Sequence, residues 1–135
     1  MHKHILIPVA LDHEDLVPRK VETARRLLED GGKVTLITVL ESIPGFVNEF
    51  VTIKESNNLT QKVNSALAAA AGDAEDIETR VISGKPGVQV AEFAKQNDVD
   101  LIIVGSHSPG AQGYSLGSTA ARVARRAPCS VYILR

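Results

Sequence analysis

The sequence holds a single cysteine, Cys129, no tryptophan, two tyrosines and three phenylalanines. One cysteine excludes an internal disulfide, and no Cys/His array of the kind that holds a structural zinc is present. With aromatics at 4%, stacking on single-stranded nucleic acid is not expected, and no nucleic-acid partner is predicted. No apolar run approaches the roughly 18 residues that span a bilayer, so no membrane insertion is expected. The start, Met1-His2-Lys3-His4-Ile5, enters an apolar run at once without the layout of a signal peptide, which predicts a cytoplasmic location. What remains is an ordinary globular composition, 44% hydrophobic and 23% charged over 135 residues. That suits one domain, 1–135, able to bury a core without staples.

The net charge of −1 hides an asymmetry. Residues 1–100 carry all 16 acids and a net of −5, whereas residues 101–135 carry four arginines, no acid and a net of +4. A positive C-terminal quarter favours an anionic ligand; helix-end arginines solvating a surface give the same count.

Ile5-Leu6-Ile7-Pro8-Val9 is a continuous apolar run, as in a strand buried on both faces. A helical pattern follows, with Val17, Val21, Ala24, Leu27 and Leu28 at helical spacing, Pro18 in its first turn and Gly31-Gly32 at its end. Val34–Leu40 is a second strand. Residues 41–54, with Pro44, Gly45 and several apolars, read as a lid or binding loop or as a short extra helix. A helix is expected near 55–72. Ile77–Ser83 is a third strand, with the alternation of an edge. Gly84-Lys85-Pro86-Gly87 turns into a helix carrying Val88, Ala91 and Phe93; it is no phosphate-binding P-loop, since the first glycine is missing and Pro86 replaces the hydroxyl residue. Val99–Val104 is a fourth strand. A helix from about Ser118, with Ala120, Val123, Ala124 and Ala127 as its buried stripe, is stopped by Pro128. Cys129–Leu134 is the last strand, with Cys129 a packing residue. Strands alternating with helices predict an α/β fold: a doubly wound, five-stranded parallel sheet with helices on both faces, Rossmann-like. In such a sheet ligands bind beyond the carboxyl ends of the strands, where strand order reverses. Pro8–Asp12, Val39–Glu41 and Gly105–Thr119 are expected to converge there.

Gly105–Thr119 is the most informative stretch, with glycines at 105, 110, 113 and 117 between a buried strand and a helix. Glycine lets backbone approach a ligand. Gly117-Ser118-Thr119 opens the helix, where free N–H groups and the positive dipole end favour an anion such as a phosphate chain. The same residues also fit a simple N-cap at Ser115 or Ser118 after a flexible loop. Arg122, Arg125 and Arg126 lie off the buried stripe, toward the end of the helix where cations complement the dipole, and read as structural or surface residues.

Taken in order, Ile5–Val9, Val34–Val39, Asp100-Leu101-Ile102-Ile103-Val104-Gly105-Ser106-His107, Leu116-Gly117-Ser118 and Cys129-Ser130-Val131 resemble a universal stress protein domain of the UspA type from end to end. The Ser-His-x-Pro and Tyr-x-Leu-Gly-Ser pattern is similar to the short-loop F/G-type subgroup. The resemblance implies the adenine nucleotide alpha hydrolase-like version of the fold and a stress-response or regulatory module that binds ATP or another adenine nucleotide, with Mg²⁺ as a companion ion. It implies that Pro8, Val9 and Ala10 edge the base and ribose and that Val39 meets adenine through its backbone. Val104, Gly105, His107 and Ser108 would line the ribose and phosphates, and Gly117, Ser118 and Thr119 would hold the phosphates. The family's motif is Gly, two residues, Gly, nine residues, then Gly and Ser/Thr. Here Ser108 replaces the second glycine, eight residues separate it from Gly117, and Ala10 stands where ATP-binding members carry Asp; Asp12, two residues later, reads either as its substitute or as a cap of the following helix.

These departures keep a second reading open: a homodimeric scaffold that binds no nucleotide, pairs through the C-terminal strand and acts through a protein partner. No catalytic residue or metal ligand is assigned, and enzymatic activity would be at most a slow ATPase. A receiver domain is set aside because strand three ends without a phosphorylatable Asp. A flavodoxin is set aside because Ala10–Asp15 has no glycine and three acids.

Overall fold

Ile5, Leu6 and Ile7 are all fully buried, which requires a strand covered on both faces. The structure, a computed structural model, describes residues 2–9, 17–40, 77–106 and 117–134, together with Ser65, Ala68 and Ala69. Its elements are β1 (His2–Pro8), α1 (Val17–Leu27), β2 (Leu28–Leu40), β3 (Ile77–Ser83), α2 (Pro86–Gln96), β4 (Leu101–Gly105), α3 (Ser118–Arg126) and β5 (Ser130–Leu134). The strands form one parallel sheet in the order β3-β2-β1-β4-β5. The chain builds outward from β1 through β2 to β3, then returns to the other side of β1 for β4 and β5. Strand order therefore reverses between β1 and β4.

Each face of the sheet has its own core. Ile5, Ile7, Val9, Val34, Leu36, Leu101 and Ile103 pack against Val17 and Ala24 of α1. Leu6, Ile37, Ile102 and Val104 pack on the opposite face against Val90 and Ala94 of α2 and Ala120 and Val123 of α3. Strict alternation along β1, β2 and β4 thus feeds two layers of helices, the doubly wound arrangement expected from the sequence. β3 lies at the edge, as its alternation implied. Cys129 packs, half-buried, on the second core, and burial pushes its thiol pKa up.

Local differences from the sequence reading have physical causes. The first helix stops at Leu27, and Leu28 already pairs with His2 in the sheet. His4 then pairs with Lys33, so residues 29–32 loop out as an irregularity in the strand. Gly31 takes φ +81° there, and a Cβ on Gly32 would come within 2.8 Å of the Lys3 carbonyl. The glycine pair marks this bulge and not the helix end. In α2 the most buried residues are Gly87, Val90 and Ala94, with Val88, Ala91 and Phe93 only half-buried. In α3 Ala120 and Val123 are buried, but Ala124 faces out. Residues 41–54 lie outside the described residues; of the helix expected near 55–72, Ser65, Ala68 and Ala69 are described and helical.

Candidate functional site

The exit of β1 is fastened to β2. Val9 is buried; its N–H donates to the Ile37 carbonyl at 2.8 Å, and its own carbonyl accepts the Thr38 hydroxyl at 3.1 Å. Thr38 is itself buried, so this bond satisfies a hydroxyl that would otherwise be costly to bury. Pro8, half-buried, ends β1 beside Ile37. One strand over, Val39 is half-buried and pairs with Ile82 of β3.

On the other side of β1, Val104 is buried and Gly105 ends β4 opposite Leu134. The chain then turns tightly. The Ser106 N–H donates to the Leu134 carbonyl at 2.9 Å, and the Ser106 carbonyl accepts the Gly117 N–H at 2.9 Å. The two ends of the glycine-rich stretch are thereby joined, and the first turn of α3 is held beside the exit of β4. Gly117, buried and extended at φ −60°, ψ 155°, is the N-cap of α3. It has no side chain to cap the helix, and the first turn contains no acid. Backbone N–H groups and the dipole are left to favour an anion there. Thr119 is exposed in that turn.

Pro8, Val9, Val39, Val104, Gly105, Gly117, Ser118 and Thr119 therefore lie at one end of the sheet, around the reversal of strand order. Ala10, Asp12, His107 and Ser108 lie outside the described residues. Arg122, Arg125 and Arg126 are exposed on α3. Arg122 runs against α2, so close that a Cβ on Gly87 would sit 2.6 Å from its own Cβ. A groove of about 500 Å³ beside α2 is lined by Ile82, the β3 partner of Val39, together with Val88, Gln89, Glu92, Phe93 and Gln96. Among the described residues no group of three or more His, Cys, Asp or Glu could hold a metal, and no helix is long and apolar enough to cross a membrane.

Two polar features escaped the sequence reading. At the amino end of the sheet, His4 is buried between the Asn97 carbonyl, 3.0 Å from Nδ1, and the Thr35 hydroxyl, 2.8 Å from Nε2. A carbonyl only accepts, so Nδ1 carries the proton and Nε2 of the neutral ring accepts from Thr35. Burial holds the His4 pKa below the usual histidine range, against the opposing pull of the Asn97 bond. Asp100 accepts the Lys3 and His4 N–H groups at 2.8 and 3.3 Å and lies 3.4 Å from His2. Burial pushes its carboxyl up, but these contacts together hold it below its usual range. The second feature is Lys20 of α1, buried although lysine is rarely so.

A model of the universal stress protein family matches residues 1–135. Universal stress protein G of Shigella flexneri is 26% identical over 142 residues, covering 100% of this chain and 100% of its own. Among solved structures, that of the hypothetical protein MJ0577 superposes with a TM-score of 0.82 at 21% identity, covering 99% of this chain and 96% of that one. A universal stress protein in complex with cAMP superposes with a TM-score of 0.65 at 25% identity, covering 99% and 97%.

Proposed function

Because the chain belongs to the universal stress protein family, we propose that it binds an adenine nucleotide, ATP or AMP, at the carboxyl ends of β1, β2 and β4 and serves as a cytoplasmic stress-response module. The observation that carries this reading is the Ser106–Gly117 hydrogen bond, which sets an uncapped helix N-terminus beside the exit of β4. A phosphate fits such a turn without further side chains. The relative in complex with cAMP supports the adenine class.

In this reading Pro8, Val9 and Ala10 edge the base and ribose, with Asp12 in the place of the family's aspartate. The backbone of Val39 meets adenine. Val104, Gly105, His107 and Ser108 line the ribose and phosphates, and the N–H groups and hydroxyls at Gly117, Ser118 and Thr119 hold the phosphates. Mg²⁺ would arrive on the phosphates, where it neutralises charge. No general base is assigned, so hydrolysis would be slow at most. The test is the nucleotide content of freshly purified protein, with ATP titration of the emptied protein. Near-stoichiometric adenine nucleotide is expected; an empty protein that ignores millimolar ATP would sink the reading.

A second reading is a nucleotide-free homodimeric scaffold acting through a protein partner. Ala10 and Ser108 motivate it, as does β5, one of the two edge strands, which exposes Tyr132. The same titration separates the two.

A further inference from the structure

Lys20 is 6% exposed and sits between Val17 and Ala24 on the buried side of α1. Among the described residues no carboxylate lies within ion-pair distance of its ammonium, and no hydrogen bond engages it. Burial alone holds the ammonium below the usual lysine range. Among the described residues no buried side-chain nitrogen or oxygen is left without a partner, so the ammonium keeps contact with water while its methylenes fill the apolar face of α1.

The direction of α1 bears on where that ammonium lies. Val17 opens α1 and packs in the same cluster as Val9 at the exit of β1, so α1 starts at the carboxyl end of the sheet and runs back toward the amino end. A helical side chain leans over the turn N-terminal to its own Cα. Lys20 stands about 4.5 Å along the axis from Val17, less than the reach of its four methylenes. A stem that follows this lean lies along the apolar face of α1 and carries the amino group toward Val17 and the exit of β1. That is the end of the sheet where the α3 N-terminus lies, approached from the opposite face.

We propose that Lys20 is a phosphate-binding residue of this site, its ammonium meeting an anionic group of the nucleotide from the α1 side while the first turn of α3 meets it from the other. The proposal rests on the nucleotide reading above. It adds a charge that the backbone donors lack and gives the ammonium an anionic partner.

The experiment compares ATP and adenosine binding by the wild type, Lys20→Met and Lys20→Arg, alongside melting temperatures. Methionine keeps the packed stem and removes the charge. Lys20→Met is expected to bind ATP about 10- to 100-fold more weakly, the range for a charged hydrogen bond, to bind adenosine as the wild type does, and to melt no lower. Lys20→Arg is expected to recover part of the ATP affinity. An unchanged ATP-to-adenosine ratio in Lys20→Met overturns the proposal while leaving the nucleotide reading standing. A wild type that binds neither ligand overturns both. If either variant folds poorly, the ¹³Cε resonance of Lys20 in the wild type decides: a shift on adding ATP but not adenosine supports the contact, and no shift overturns it.

Discussion

The Nε2 atom of His4 lies 2.8 Å from the Thr35 hydroxyl, on the inner face of two adjacent strands, while Nδ1 bonds the Asn97 carbonyl at the foot of α2. One buried ring thus ties β1, β2 and the α2–β4 turn together. Lys33 on β2 opposes a positive charge on it, whereas Glu78 on β3 and Asp100 favour one; burial outweighs both. Because the folded pKa lies below the unfolded one, the unfolded chain binds more protons in this range. Stability from His4 is fully present above the ordinary histidine value of 6.5 and is lost as pH falls from there through the lower folded value. Urea midpoints of the wild type should decline over that window, and His4→Gln should flatten the decline. Thr35→Val should cost about 1–3 kcal/mol at neutral pH by leaving the Nε2 acceptor unsatisfied. A wild-type midpoint that does not move on acidification contradicts the account.

Gly87 and Arg122 set the spacing of α2 and α3. A Cβ at Gly87 would sit 2.6 Å from the Arg122 Cβ, an atom fixed to the helix that cannot swing aside. Gly87→Ala should force the helices apart and cost about 1–3 kcal/mol by overpacking. Arg122→Gly in the same chain should relieve most of that beyond its own helix penalty of roughly 1 kcal/mol, so a double-mutant cycle in urea should show strong coupling. Additive effects would mean the helices have slack.

Much of the scaffold was legible because burial on both faces writes itself into sequence. Ile5–Val9 and Leu101–Val104 are continuous apolar runs for that reason, and the Gly105 and Gly117 bounds of the glycine-rich stretch coincide with a real closure through Ser106. The end of α1 was not legible. Leu27 and Leu28 continue the helical period, yet Leu28 packs on the same core from a strand. His4 gave no local signal because its partners, Asn97 and Asp100, lie 93 and 96 residues away. Lys20 was hidden by the ordinary rule that a lysine in an amphipathic helix points outward.

Thr119 separates binding from folding. It is exposed in the first turn of α3, where an acid complements the dipole by about 0.3–1 kcal/mol. Thr119→Glu should therefore leave the melting temperature unchanged or raise it. If phosphates occupy that turn, the same carboxylate repels them, and ATP affinity should fall about tenfold, roughly 1.4 kcal/mol, with adenosine affinity unaffected. Isothermal titration of both ligands checks this; equal loss for both would place the phosphates elsewhere.

The two edges of the sheet differ in how they meet a second strand. On β3, Glu78 pairs with Arg80 at 2.6 Å and with Lys33 at 3.9 Å, and charged side chains of this kind deter pairing at an edge. Ser130–Leu134 of β5 carries no charge, and its Tyr132 is 40% exposed. A second copy related by a two-fold axis would therefore add at β5, extending the sheet. Sedimentation at micromolar concentration should then give a dimer, and Tyr132→Lys, which places like charges near the axis, should raise its dissociation constant about tenfold or more, the equivalent of roughly 1.4 kcal/mol. Arg80→Ala on the opposite edge should leave the dimer intact. A monomeric wild type, or a dimer indifferent to Tyr132→Lys, would show that β5 is not the contact.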